Sequence, residues 1–147
     1  MAGSMMEIRV TPIGVMHFGL PTPADAPKNY NESAETGNLE IFPQYLEAMT
    51  GIEVGQTLVV LFWLHEARRD LLKGYPRGDR SRGLHGVFAT RSPVRPNPIA
   101  ISELTVLGVQ GNQIEVSGVD VIDTTPILDI KSAVAPGQGT DSQQDRA

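Results

Sequence analysis

The 147-residue chain contains no cysteine, so a disulfide framework and thiolate chemistry are both excluded. Aromatic residues make up only 5% of it, with a single tryptophan, Trp63. No apolar run is long enough to cross a bilayer as a helix, and the longest, Leu58 to Leu64, is strand-sized. The three histidines, His17, His65 and His85, fall at no metal-ligand spacing, which argues against a zinc site. No G-x-G-x-x-G follows a strand-like segment, so a Rossmann-type nucleotide fold is disfavoured. Helical segments long enough to serve as crossovers between parallel strands are scarce. An overall positive charge is missing too. The balance is −5, which taken alone argues against a polyanionic partner.

The distribution of charge reverses that impression. Eight of the 12 Lys and Arg lie between Arg68 and Arg95: Arg68, Arg69, Lys73, Arg77, Arg80, Arg82, Arg91 and Arg95. Only Asp70 and Asp79 oppose them, so this segment carries +6 while the rest of the chain carries −11. Such asymmetry is the footprint of a local anion-binding face or, more plainly, of a solvated basic loop.

Apolar patterning predicts a mainly β fold: a small antiparallel, barrel-like sheet of about seven strands with two short helices. Strands are expected at Glu7–Met16, Leu39–Phe42, Thr57–Leu64, Gly86–Thr90, Ile99–Val109, Gln113–Ile122 and Ile127–Val134. Gly111-Asn112 marks a hairpin turn. Helical spacing is read at Pro43–Thr50, with Gly51 as its stop, and at His65–Lys73. Pro21, Pro23 and Pro27 predict an irregular loop to about Thr36, and Gly74–Gly86 a polar, basic loop. Residues 1–5 read as an expression scar, 6–135 as one domain, and 136–147, with no large apolar residue, as a disordered tail.

Two stretches carry the chemistry. The first is Gly86-Val87-Phe88-Ala89-Thr90-Arg91-Ser92-Pro93-Val94-Arg95-Pro96-Asn97-Pro98-Ile99-Ala100. Each proline fixes its own φ and pushes the preceding residue toward extended geometry, so the segment holds Arg91, Arg95 and Asn97 nearly in place. Guanidinium groups on a rigid loop suit bidentate capture of carboxylate or phosphate. The second is Asp120-Val121-Ile122-Asp123-Thr124-Thr125-Pro126-Ile127-Leu128-Asp129-Ile130-Lys131, two strand-like pieces around an Asp-Thr-Thr-Pro turn.

Together these stretches resemble the YaeB/TrmO-like (TsaA-like) family, whose pattern is GVFATRSxxRPNPIG followed downstream by DLxDGTPxxDIKPY. The resemblance covers nearly the whole chain. Pro12-Ile13-Gly14-Val15 matches the family's first strand, Ala26-Pro27-Lys28-Asn29 its Pro-Arg-Gln element, and Leu61–Glu66 its hydrophobic strand ending in His-Gln. The resemblance implies a homodimeric, cytoplasmic S-adenosylmethionine-dependent methyltransferase. Its implied acceptor is N6 of threonylcarbamoyladenosine beside the tRNA anticodon, and its cofactor sits near the partner subunit.

On that resemblance Arg91 is the cofactor's polar anchor; the alternative is an ion pair with Asp120 or Asp123. His65 and Glu66 fall beside the cofactor. Glu66 faces its sulfonium or α-amine, or else caps a following helix. Ser117, Gly118, Val119 and Asp120 offer a strand backbone to the adenine edge. Asn29 and Tyr30 sit in a loop over the cofactor, and Ile101 is either an apolar wall or core. Asp123 is the acceptor-side carboxylate that takes a proton, or simply a turn former. Arg68, Arg69, Arg77, Arg80, Arg82 and Arg95 take RNA phosphates. The Pro-rich loop and residues 74–86 are the expected donors of dimer contacts. No metal is expected.

The chain departs from the family pattern at Asn29 and Glu66 (each Gln there), at Ala100 and Thr124 (each Gly there), and at Ser132-Ala133 in place of Pro-Tyr. If the family's turn glycine has positive φ, Thr124 is strained. Such changes on the acceptor side leave open a different acceptor, or a module that binds cofactor or RNA without catalysis.

Overall fold

Alternating apolar residues build a closed antiparallel barrel. The structure is a computed structural model and describes residues 6–18 and 36–134. Six strands close it in the order β1 (Gly14–Phe18), β2 (Thr36–Ile41), β7 (Gln113–Ser117), β6 (Ile99–Gln110), β3 (Thr57–Trp63) and β8 (Thr125–Ser132), with β8 pairing back to β1. A two-stranded ribbon, β4 (Lys73–Gly74) with β5 (His85–Gly86), forms a separate sheet. The mainly β, barrel-like class read from the patterning is the one that forms, although the barrel closes with six strands.

Each strand turns every second side chain inward. Met16, Leu39, Ile41, Leu58, Val60, Phe62, Leu104, Val106, Ile114, Val116 and Ile127 fill the interior and are essentially solvent-free. A barrel of this size is filled by its own side chains and leaves no lumen. Met49, at the end of a 3₁₀ turn over Pro43–Met49, covers one end. The β6–β7 hairpin turns at Gly111-Asn112 as expected, with φ of 61° at Gly111. Asn112 donates through Nδ2 to the Ile41 carbonyl at 2.8 Å, tying the hairpin to β2.

Several boundaries differ from the sequence expectation for local reasons. β1 begins only at Gly14; Ile13 still bonds to Ile127 and Phe42, but residues 6–12 pair with no neighbouring strand. β7 stops at Ser117, where Gly118 adopts φ 95° and turns the chain. The expected helix over His65–Lys73 does not form. After a turn at His65-Glu66 the chain is irregular, and Arg68 pairs with Asp70 two residues away, a spacing whose side chains do not face each other on a helix. Leu71 and Leu72 are exposed, so no apolar face exists to dock one. The expected strand Gly86–Thr90 is also corrected. Only Gly86 belongs to the ribbon, and Val87–Ala89 wind into a 3₁₀ turn closed by the Thr90 amide and hydroxyl on the Val87 carbonyl, both 3.1 Å. Two more short 3₁₀ turns, Pro76–Gly78 and Arg80–Arg82, sit inside the expected basic loop. The expected scar, the proline loop up to residue 35 and the expected tail lie outside the described residues.

Candidate functional site

The candidate site lies along a half-paired edge of the barrel. β6 is 12 residues long and β7 only five. β7 pairs β6 from Thr105 onward, so Ile99–Leu104 are laddered to β3 alone. Beside that half-paired edge run two non-strand segments, the Pro-rich loop 90–98 and residues 118–122. Between them lies a cavity of about 1060 Å³. Both faces of β6 contribute, with Ala100 and Ser102 from the inward set and Ile99 and Ile101 from the outward set. The cleft therefore wraps over the barrel rim.

The Pro-rich loop is braced from both sides. Arg95 donates through Nη1 to the carbonyls of Thr90 (3.2 Å) and Ser92 (3.0 Å), closing the loop on itself. Arg69 donates through Nε to the Pro96 carbonyl at 2.6 Å and through Nη2 to Asn97 Oδ1 at 3.1 Å. Its guanidinium stacks 5.3 Å from the centre of the Trp63 ring. Arg69 thus ties the loop to the end of β3. Arg91 stands in the cavity wall and makes no hydrogen bond or ion pair with any described residue. The alternative in which it pairs with Asp120 or Asp123 does not occur among these residues.

Opposite, Ser102 donates to Asp120 Oδ1 at 3.0 Å, which aims the carboxylate along that edge. The Asp-Thr-Thr-Pro turn closes this wall. Asp123 Oδ1 accepts the Phe18 amide at 3.1 Å and lies 4.0 Å from His17 Nδ1, while His17 Nε2 meets Glu40 Oε1 at 2.9 Å. Thr124 takes φ 65°, so a β-branched residue occupies the left-handed region. It is held there by its amide bond to the Met16 carbonyl, 2.8 Å, and by Thr125, whose buried hydroxyl donates to the Ile122 carbonyl at 2.6 Å.

Of the sequence-derived candidates, Glu66, Arg68, Arg91, Arg95, Ile101 and Asp120 line this one cavity. His65, Val119 and Asp123 are chain neighbours of its lining residues without belonging to them, Val119 packing in the core, and Ser117 and Gly118 are not among the lining residues either. Asn29 and Tyr30 lie outside the described residues. Arg77, Arg80 and Arg82 sit on the ribbon arm, where Arg80 stacks on Tyr75 at 5.1 Å and Arg82 approaches Asp79 at 3.7 Å. Arg68 is occupied by Asp70 at 3.0 Å, and that pairing lowers the Asp70 pKa. Asp79 is likewise held below its ordinary value by the Ser81 hydroxyl and amide. Sequence reasoning missed Leu64, Thr90, Ser102, Val121 and Ile122 as lining residues. The signal available in the sequence was Gly118, which ends β7 early and leaves half of β6 without a partner on that side.

The cavity is at the upper end of the range for small-molecule and cofactor sites. One free guanidinium, two carboxylates, a half-paired strand edge and a wall of Leu64, Ile99, Ile101 and Ile122 converge on it. That set fits S-adenosylmethionine: a cation for its carboxylate, carboxylates for its amine or sulfonium, backbone for its base, and apolar surface elsewhere. Among the described residues, no cluster of three His, Asp or Glu is placed to hold a metal ion, and no helix is long and apolar enough to cross a membrane.

Fold and site together define a small β-barrel protein with a nucleotide-sized cleft on its rim. Residues 15–136 match the tRNA-methyltransferase O N-terminal domain, and the chain belongs to that family. A probable S-adenosyl-L-methionine-binding protein of Methanothermobacter thermautotrophicus is 42% identical over 128 residues, 87% of this chain and 91% of that one. An S-adenosyl-L-methionine-binding protein of Archaeoglobus fulgidus is 38% identical over 82% of this chain and 85% of its own length. The crystal structure of TrmO from Pseudomonas aeruginosa superposes with a TM-score of 0.66 at 30% identity, covering 98% of this chain. This chain spans 60% of that protein.

Proposed function

We propose that the protein is an S-adenosylmethionine-dependent tRNA methyltransferase acting at N6 of threonylcarbamoyladenosine beside the anticodon, as a cytoplasmic homodimer. The observation that carries this reading is the rim cleft in which Arg91, Asp120 and Glu66 converge on a half-paired strand edge. The cofactor, once bound, supplies an electrophilic methyl group. Arg91 holds its carboxylate, Glu66 and Asp120 face its positive groups, and the open edge of β6 with residues 117–120 receives its base. Ile99, Ile101 and Ile122 exclude water. On the acceptor side, Asp123 engages Oδ1 while Oδ2 has no partner among the described residues, and it takes the proton from the acceptor nitrogen.

The exposed outer face of β6, with Ile99, Ile101, Leu107 and Val109, supports a second copy packing beside the cleft. A second reading, a cofactor-binding protein without transfer, draws on the matched relatives, which are described only as S-adenosyl-L-methionine-binding proteins. Incubation with methyl-labelled cofactor and bulk tRNA separates the two. Label on the modified adenosine supports transfer. Tight cofactor binding with no label in any tRNA removes it.

A further inference from the structure

Phe88 presents its ring to solvent two residues before the chain enters the cleft wall at Thr90. It is 82% exposed, while Val87 beside it is buried in the protein. The 3₁₀ turn over Val87–Ala89 forces this division, since consecutive residues point about 120° apart. The turn is pinned at both ends, by the Val87 amide on the Leu72 carbonyl at 2.9 Å and by Thr90 on the Val87 carbonyl. The exposure of the ring is therefore built in. Two residues further on, Thr90 and Arg91 enter the cavity wall. Leu72 and Leu84, the residues immediately before the two ribbon strands, are exposed as well, at 66% and 57%.

The stretch of chain that carries this ring is cationic. Phe88 lies within the segment that carries +6, and Arg77 on the same arm makes no hydrogen bond or ion pair with any described residue. Along the chain the ring falls between the cationic arm and the cleft-wall residues Thr90 and Arg91, and an exposed aromatic face so placed suits an unstacked nucleobase with flanking phosphates on the arginines. We propose that Phe88 is the stacking platform for an unpaired RNA base next to the acceptor nucleotide. Charge favours RNA over a second copy of the same surface, because two copies of the +6 segment 68–95 brought together repel. The proposal rests on the RNA-methylating reading.

The test uses the full chain and a fluorescein-labelled tRNA anticodon stem–loop, with Phe88→Ala and Phe88→Trp. Anisotropy across a salt series, calorimetry with S-adenosylmethionine, and light scattering are measured for each. Phe88→Ala should weaken RNA binding about tenfold, and Phe88→Trp should restore it. Stacking releases no counterions, so the salt slope should stay that of the wild type. Cofactor affinity and particle mass should also be unchanged. Unaltered RNA affinity in Phe88→Ala overturns the platform and leaves the RNA partner standing. A lower particle mass overturns it by assigning Phe88 to a subunit interface. Failure of the wild-type protein to bind any tRNA stem–loop removes the RNA reading and the platform together.

Discussion

Replacing Thr124 by glycine should stabilise the protein. At φ 65° a residue with a Cβ crowds the neighbouring carbonyl, at about 1–2 kcal/mol, and a β-branched side chain stands at the unfavourable end of that range. Glycine relieves the strain but loses more conformational freedom on folding, about 0.5–1 kcal/mol. The Thr124 hydroxyl bond to the Asp123 carbonyl is exposed, so its removal costs little. The Thr124 amide bond to Met16 is retained. The net expectation is a gain of about 0.5–1 kcal/mol, or roughly 2–4 °C in Tm for a domain of this size. Thr124→Ala keeps the strained φ and should give no such gain. Urea and thermal melts of the three proteins decide the matter. A Thr124→Gly protein that melts at or below the wild type would show that the turn is not strained and that the positive φ is tolerated without cost.

Arg91→Ala should weaken S-adenosylmethionine binding by about one to two decades in calorimetry while leaving Tm unchanged, because it removes one charge-assisted hydrogen-bond pair to the cofactor and no described intramolecular bond; unchanged affinity with a lowered Tm would instead make Arg91 structural. Neutralising Arg77, Arg80 and Arg82 together should spare cofactor affinity and reduce the log–log salt slope of RNA binding by about 0.7–0.9 for each phosphate left without its arginine. An unaltered slope would mean that the arm is idle. Gly14→Ala should destabilise by about 1–3 kcal/mol, read from urea midpoints, since a Cβ there would drive into the Glu40 carbonyl of the paired strand; a neutral result would mean that β1 and β2 are spaced more loosely than the ladder implies.

Much of the fold could be read because burial in a barrel imposes a period of two. β3 was legible instead as an unbroken apolar run of strand length, and the hairpin by its Gly111-Asn112 turn. The segment 65–90 misled for the opposite reason. Its residues pack against few neighbours, so no periodic face is required of them, and local hydrogen bonds decide between helix, strand and turn. Arg69 shows the cost of this. In the sequence it is one cation among eight, and only the folded chain turns it onto Trp63 and Pro96 as a brace. Arg91 was legible as a candidate because the rigid proline loop marks it, whereas Glu66, Ile101 and Asp120 were marked chiefly by the family resemblance. Ser102 was not, because a small polar residue in a strand acquires meaning only once its partner Asp120 is beside it. Thr124 was legible as a conditional: the suspected positive φ is the one the turn adopts.

Transfer of a methyl group from S-adenosylmethionine to tRNA tests the central claim most directly. Purified protein, methyl-labelled cofactor and bulk tRNA are incubated, the tRNA is digested to nucleosides, and the label is located by chromatography and mass spectrometry. The expected result is label on N6 of threonylcarbamoyladenosine, abolished by Arg91→Ala at limiting cofactor. Cofactor bound in the rim cleft with no label in any nucleoside would contradict it.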